Sequence, residues 1–268
     1  MGRAELMRRA VAAAVAVAAG HGVRCAEPEV LSDRANALVR LGPAPVVARV
    51  ATITGLMRRG AYDALCREVA VTGYLAGVGA PVVPPSDALP PGPHIHDGLT
   101  VTFWPYVPHE PGAAPSPERF GALLRELHTA LAGYPGGLAY LGTPYDDIAV
   151  MLGGAVPGLT AEERAATSRA FEKLRAELGE GPGRPLHGDA HPRNLMSTPG
   201  GWLWNDFEDT CAGPVEWDLA CMVGTRRLDG RAAVTAYGRD PDDPRIAVLR
   251  ELRDLYGGLY SRLSAAYP

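Results

Sequence analysis

The sequence predicts an α+β protein of two lobes, and three observations support this prediction. Short runs of β-branched and apolar residues, separated by Pro and Gly, fill the first part of the chain, as in antiparallel sheets. Apolar residues recur at helical spacing from Ser116 onward, and a proline-interrupted segment precedes this change. We therefore expect an N-terminal lobe of antiparallel β-sheet with helices over residues 1–105, and a mostly helical C-terminal lobe over residues 106–268.

The N-terminal segment MRRAVAAAVAVAAG, Met7 to Gly20, has two interpretations. Arginines ahead of an apolar run and an A-x-A triplet at Ala16 to Ala18 are typical of a secretory signal peptide. However, the run is rich in alanine, which inserts poorly into membranes and forms helices well. We expect a helix that packs on the body of the protein.

Strands and one helix are predicted in the rest of the first lobe. Residues 29–54 read as short strands with a turn at Gly42 to Pro45. The segment from Tyr62 to Gly79 has helical periodicity and ends at glycine. A proline-rich connection follows over residues 81–93, and residues 99–112 begin as an alternating strand.

The second lobe is predicted to contain at least four helices and a hairpin. The helices begin at Ser116, run from Thr160 to Leu178 with a capping box, and cover residues 214–223 and 243–263. Two short apolar runs flank the turn residues Thr198 to Gly201, which predicts a β-hairpin.

Composition and charge narrow the functional classes. The formal net charge is -4 and the pI about 6.0, so the basic surface that binds nucleic acid is not expected. The four cysteines, Cys25, Cys66, Cys211 and Cys221, form no C-x-x-C motif, which favours reduced thiols in a cytoplasmic protein. No run reaches the roughly 18 to 20 apolar residues of a membrane span. The sequence leaves monomer and dimer open.

The segment PLHGDAHPRNLM, Pro185 to Met196, and the hairpin after it carry an unusual set of polar residues. Asp189 precedes Asn194 by five positions, and the hairpin returns the chain to Asp206. Phosphoryl transfer needs a carboxylate to orient a hydroxyl and accept its proton, and oxygen ligands to hold magnesium against a triphosphate. Asp189 suits the first role, and Asn194 and Asp206 suit the second.

Three ordered motifs resemble the catalytic centre of the aminoglycoside phosphotransferase family, a branch of the protein-kinase-like fold. The motif H-G-D-x-H-x-x-N stands here as His187 to Asn194, the metal-binding Asp-Phe motif as NDFED, and P-x-x-x-D-L-A as PVEWDLA. The resemblance implies that Asp189 is the catalytic base and that Asn194 and Asp206 bind Mg²⁺. It also implies that Asp218 is a buried carboxylate that supports the catalytic loop, and that His187 braces this loop.

The resemblance extends to phosphate-binding positions of the first lobe. The strand VVARVA lies where the family has a phosphate-clamping lysine, and this position is Arg49. The chain contains a single lysine, Lys173, and a guanidinium also binds phosphate. Glu68 in the next helix is either the ion-pair partner of Arg49 or a solvated helix residue. His191 stands where protein kinases have a lysine near the transferred phosphate, so it contacts phosphate or makes a structural hydrogen bond.

The loop that would cover the nucleotide departs from the kinase pattern, and the hinge segment resembles that pattern only weakly. The segment VLSDRANALVRL has no G-x-G-x-x-G motif, and Ser32 and Asn36 are candidates for polar contacts in its place. The segment TFWPYV resembles the hinge, where backbone groups of about Trp104 and Tyr106 would meet adenine. An ordinary aromatic pair at a strand end is the alternative.

Two other functional classes are alternatives to phosphoryl transfer. His187, Asp189 and His191 at alternate positions have the spacing of a zinc or iron hydrolase site, and only His94 and His96 offer further ligand-like spacing. A catalytically silent nucleotide-binding relative would have lost an aspartate or asparagine of the motifs, and all of them are present. Arg49 in place of lysine is the one feature that favours a catalytically silent nucleotide-binding protein.

The acceptor implied by the resemblance is a small molecule. Ten residues separate Phe207 from Asp218, too few for the peptide-docking segment of a protein kinase. Residues 205–225 hold five carboxylates and no Lys or Arg, which favours a cationic acceptor such as an aminoglycoside or another basic antibiotic. Metabolic kinases of choline, homoserine or sugars share these motifs. The phosphate donor is ATP or GTP.

Overall fold

The structure, a computed structural model, describes residues 2–267. Its N-terminal lobe contains a five-stranded sheet with the order β1-β2-β3-β5-β4, in which all neighbours are antiparallel. The strands are β1 Glu27–Asp33, β2 Asn36–Gly42, β3 Val46–Ala51, β4 His94–His96 and β5 Leu99–Pro105. The central strand β3 is buried along its whole length. The predicted turn at Gly42 to Pro45 joins β2 to β3.

Three helices accompany this sheet: α1 Arg3–Gly20, α2 Ile53–Met57 and α3 Ala61–Gly77. The expected N-terminal helix is confirmed, since α1 contacts β2, β3 and β5 and buries a stripe of alanines at helical spacing. The prediction of strand as far as Thr54 is wrong. The Thr54 N–H donates to the Ala35 carbonyl at 2.9 Å and the ends of α2 are buried, so tertiary contacts override the β propensity of Ile and Thr.

The C-terminal lobe is mostly helical, as predicted. Its helices are α4 Pro117–Leu131, α5 Gly142–Val150, α6 Ala161–Leu178, α7 Glu216–Gly224, α8 Gly230–Tyr237 and α9 Pro244–Ala265, with a π-helical turn at Met151–Ala155. Ser116 caps α4, and Thr160 and Glu163 form the predicted capping box of α6. Helix α9 contacts α5, α6 and α7 of its own lobe and α2 of the N-terminal lobe.

Two short antiparallel pairs hold the loops of this lobe. They are β6 Arg184–Leu186 with β9 Cys211–Gly213, and β7 Leu195–Thr198 with β8 Gly201–Trp204. The second pair is the predicted hairpin. At its open end the Asn205 N–H donates to the Asn194 carbonyl at 3.0 Å. The hairpin therefore places Asn194 next to Asn205, the residue that precedes Asp206.

The sheet ends at Pro105, and residue 105 remains our proposed boundary between the lobes. None of the helices within residues 2–267 combines the length and the apolar character that crossing a bilayer requires.

Candidate active site

The loop that carries Asp189 is anchored on a buried carboxylate of α7. The Asp218 oxygens accept hydrogen bonds from the backbone N–H groups of His187 and Gly188, both at 2.9 Å, and lie 2.9 Å from His128 Nε2. Burial opposes ionisation of Asp218, but the His128 hydrogen bond and charge outweigh it and lower the pKa of this carboxyl. An ionised Asp218 thus fixes the start of the loop, in the position that the sequence predicts.

His187 connects this loop to the segment that contains Asp206. Its Nε2 lies 3.1 Å from the Asn205 carbonyl, and its Nδ1 accepts the Asp189 N–H at 3.3 Å. The ring packs on Phe207 with 4.5 Å between ring centroids. Burial lowers the pKa of His187, so the imidazole is neutral. Because both ring nitrogens are already engaged, His187 does not suit a role as a zinc ligand.

The Asp189 carboxylate lies among four polar partners. His191 Nε2 is 3.2 Å and Asn194 Nδ2 is 3.4 Å from Oδ2, whereas Arg253 Nη2 is 2.5 Å and Cys221 Sγ is 3.4 Å from Oδ1. Burial opposes ionisation, but the charges of His191 and Arg253 outweigh it and hold the pKa of Asp189 below its usual value. Asp189 is therefore a carboxylate at neutral pH.

Asn194 and Asp206 offer oxygen atoms of the kind that Mg²⁺ prefers. Asn194 Nδ2 donates to the Asp189 carbonyl at 2.9 Å, which leaves Oδ1 of the amide for a metal. Asp206 has a backbone φ of 67°, rare for a residue with a side chain, and its Oδ1 is 2.5 Å from Arg49 Nη2. Within residues 2–267 no three His, Cys, Asp or Glu side chains group as metal ligands. An amide and a carboxylate, completed by phosphate oxygens, suit magnesium.

Arg49 lies on β3 between three acidic side chains. Its Nη1 is 2.7 Å from Glu68 Oε1, and its Nη2 is 3.1 Å from Glu208 Oε1, in addition to the contact with Asp206. The predicted pair with Glu68 is thus present. Glu68 also accepts the Phe207 N–H at 3.1 Å, and burial raises the pKa of Glu68 to about 8. Arg49 therefore connects α3 to the segment that contains Asp206 and Glu208.

A cleft of about 370 Å³ separates the sheet from the end of the loop that carries Asp189. Ser32, Arg49, Trp104, Tyr106 and Asp206 are among the residues that line it. The Tyr106 N–H donates to the Pro45 carbonyl at 2.8 Å, so this one backbone donor of the predicted hinge is engaged within the chain. This contact continues the β3–β5 ladder beyond the end of β5. Trp104 and Tyr106 contribute their side chains to the wall of the cleft.

The sequence model of the phosphotransferase enzyme family (APH) matches residues 29–255. The chain belongs to this family. It is accordingly a phosphotransferase of the small-molecule kinase type. No curated protein matches the chain.

Solved structures share the fold of this phosphotransferase at low sequence identity. An aminoglycoside-3'-phosphotransferase of type VIII is 18% identical with a TM-score of 0.67, covering 93% of this chain and 99% of that one. A choline/ethanolamine kinase family protein from Mesorhizobium loti is 19% identical with a TM-score of 0.59, covering 97% and 87%. The GDP and kanamycin complex of APH(2")-IIia is 16% identical with a TM-score of 0.59, covering 88% and 85%. The two-lobed kinase-like fold is thereby confirmed.

Sequence analysis of this phosphotransferase missed two arginines near the catalytic loop. Arg253 of α9 contacts Asp189, and Arg58, just after α2, contacts Asp147 Oδ2 and Asp209 Oδ1 at 2.6 Å each. Arg253 follows the buried Leu249 by one helical turn, so an arginine on an apolar helix face was the available signal. No comparable signal exists for Arg58, because its partners lie far away in the sequence.

Proposed function

We propose that the protein transfers the γ-phosphoryl group of ATP or GTP to a hydroxyl group of a small molecule, with Mg²⁺ bound. The observation that carries this proposal is the meeting of Asp189, Asn194 and Asp206. Asn194 lies against Asp189 through its side chain and against Asn205, the neighbour of Asp206, through its backbone. The proposed hydroxyl-orienting carboxylate and the two proposed metal ligands thus lie on adjoining segments, and Asp206 lines the cleft.

In the proposed reaction, the bond between the γ-phosphorus and the β–γ bridging oxygen breaks, and the acceptor oxygen bonds to phosphorus. The hydroxyl proton passes to Asp189. Because its neighbours lower the pKa of Asp189, this carboxylate is a weak base. It contributes mainly by orienting the hydroxyl, in keeping with a loose transition state in which proton transfer is late. Mg²⁺, held by Asn194 and Asp206, would supply charge neutralisation at the phosphates.

The proposed nucleotide site is the cleft that Arg49 lines. Arg49 contacts three acidic side chains, so its guanidinium is already engaged before a phosphate binds. Within the described chain, neither Arg34, at the tip between β1 and β2, nor Arg193, beside Asn194, forms an ion pair, and both line the cleft. We infer that these two guanidinium groups, with Ser32, replace the phosphate contacts of the missing glycine-rich loop. The GDP complex of a structural neighbour supports nucleotide binding here.

The acceptor that we favour is an antibiotic hydroxyl, on an aminoglycoside or another basic antibiotic, in resistance or self-protection in the cytoplasm. The kanamycin complex of one neighbour supports this, and the choline/ethanolamine kinase family neighbour supports the alternative of a metabolic alcohol. The acidic segment 205–225 supports a cationic acceptor less strongly than its sequence implies. Its five carboxylates all have partners within the chain: Arg49 for Asp206 and Glu208, Arg58 for Asp209, His128 for Asp218, and Arg239 for Glu216 at 3.9 Å.

A nucleotide-consumption screen tests the proposal. Purified protein with Mg-ATP or Mg-GTP is offered aminoglycosides, basic peptide antibiotics, choline, homoserine and sugars, and Asp189→Asn serves as the control. Phosphorylation of an acceptor by the wild type and its loss in the variant would support the proposal. Binding of Mg-nucleotide without turnover of any acceptor would favour a silent relative. Cleavage of a substrate without nucleotide would favour a hydrolase.

A further inference from the structure

Arg253 reaches the catalytic loop from α9, a helix outside all three recognised motifs. Its Nη1 donates to the Gly188 carbonyl at 3.0 Å, and its Nη2 is 2.5 Å from Asp189 Oδ1. The guanidinium lies over the Trp217 ring at 4.4 Å, and Trp217 Nε1 donates to the same Gly188 carbonyl at 2.9 Å. The Arg253 side chain is only 15% exposed. One planar group is therefore fixed by three independent contacts.

The two oxygens of Asp189 have different surroundings. Oδ1 has Arg253 and the Cys221 thiol as partners, one charged and one weak. Oδ2 has His191 at 3.2 Å and the Asn194 amide at a long 3.4 Å. Charge-assisted hydrogen bonds are the stronger ones, and Arg253, which always carries its charge, makes the shorter of the two ionic contacts, at 2.5 Å against 3.2 Å for His191. Oδ1 is therefore committed to Arg253, and the carboxylate cannot rotate without breaking that ion pair.

We propose that Arg253 is a positioning residue for Asp189: it holds Oδ1 and so presents Oδ2 to the acceptor hydroxyl. This inference rests on the proposed function, because it assigns the orientation of the group that receives the hydroxyl proton. In the reaction Oδ2 accepts the hydrogen bond and then the proton, while Oδ1 stays bound to Arg253.

The chemistry of the side chain explains why arginine is needed here. A guanidinium presents two parallel N–H groups in one plane, which match the Gly188 carbonyl and the Asp189 carboxylate, and its flat face stacks on Trp217. A lysine ammonium is a point charge with no flat face, so it cannot make these three contacts together. The role of Arg253 thus depends on its shape as well as its charge.

Arg253→Ala and Arg253→Lys test the proposal, with Arg262→Ala as the matched control. Arg262 lies on the same helix, is 51% exposed and pairs with Glu163 at 2.9 Å, and so offers a surface ion pair of small energy. Turnover of Mg-ATP and Mg-GTP is measured with the acceptor found in the screen, or with water where none is found. Nucleotide KM, thermal midpoint and rescue by tens of millimolar guanidinium chloride are measured alongside.

We expect Arg253→Ala to lower kcat about 100-fold, the effect of a small misplacement of a reacting group. Nucleotide KM should stay within about threefold, Arg253→Lys should recover little, and Arg262→Ala should match the wild type. Guanidinium should restore activity to Arg253→Ala and not to Asp189→Asn. Wild-type kcat in Arg253→Ala, or a loss that guanidinium leaves unchanged while the thermal midpoint falls, overturns the proposal. Absence of turnover in the wild type itself overturns the proposed function, and this inference with it.

Discussion

Arg58→Met tests the contact that joins the two lobes behind the catalytic loop. Arg58 Nη2 is 2.6 Å from both Asp147 Oδ2 and Asp209 Oδ1, and Nη1 donates to the Glu208 carbonyl at 3.2 Å. The side chains of Arg58 and Asp147 are 6% and 1% exposed. The substitution leaves the Asp147 carboxylate buried, with the Tyr256 hydroxyl at 3.0 Å as its remaining partner.

Removal of one partner from a buried ion pair costs about 3 to 5 kcal/mol, because the other charge stays buried without compensation. For a chain of this size each kcal/mol lowers the melting temperature by about 2 to 4 °C. We therefore expect Arg58→Met to melt about 6 to 20 °C below the wild type in differential scanning calorimetry. Arg59→Met is the matched control, since Arg59 is an exposed neighbour that forms no ion pair within residues 2–267, and it should melt as the wild type does.

A second variant separates the charge effect from lost packing. Asp147→Asn removes the buried charge, so the double variant with Arg58→Met should recover more than about 1 kcal/mol relative to the sum of the single changes. Two results would show that Arg58 does not join the lobes in this way. One is a melting temperature of Arg58→Met within about 2 °C of the wild type, and the other is additive effects of the two substitutions on the free energy of unfolding.

Two further predictions concern the pH response of the nucleotide-free protein and one loop glycine. Burial raises the pKa of Glu68 to about 8 and of Asp209 to about 7, above the values of about 4 in an unfolded chain. The folded protein then holds protons that the unfolded chain has released, so its free energy of unfolding should fall as pH rises from about 5 to 8, by up to about 1.4 kcal/mol per pH unit for each group. Denaturant unfolding should show a shallower fall in Glu68→Gln, and an equal slope would contradict this assignment. Gly188→Ala should abolish folding or activity, because Gly188 has a φ of 91° and a Cβ there would overlap the Asp209 carbonyl. Both Gly188→Ala and its control, Gly257→Ala, are measured by circular dichroism melts. Gly257 lies in α9, where a Cβ meets nothing within 4 Å, so its substitution should be neutral or stabilising by up to about 1 kcal/mol. A Gly188→Ala variant that melts as the wild type does would refute the strain argument.

The arrangement of the loop that carries Asp189 could be predicted from the sequence because its motifs resemble those of a known family and follow one another closely along the chain. One stretch of the chain contains His187, Asn194, Asp206 and Asp218. The β7–β8 hairpin and helix α7 bring these residues together. The pair between Arg49 and Glu68 follows similarly from a strand and the helix after it. In these cases the order of the elements nearly determines which side chains meet.

The remaining contacts depend on how distant elements pack. Arg58 meets residues 89 and 151 positions away, and Arg253 meets Asp189 from a helix 64 positions later. Neither hydrophobic periodicity nor motif spacing predicts contacts between residues so far apart in the chain. The Tyr106 N–H is a related case, since its acceptor lies in the turn between β2 and β3.

The central claim is that Asp189 acts on the acceptor hydroxyl in a Mg-nucleotide-dependent transfer. Asp189→Asn measured in steady-state phosphorylation of the acceptor found in the screen, with calorimetric titration of Mg-nucleotide alongside, tests it most directly. Since positioned acid–base groups contribute about 10²- to 10⁴-fold, we predict a loss of kcat in that range with the nucleotide affinity unchanged. Full turnover by Asp189→Asn would contradict the claim.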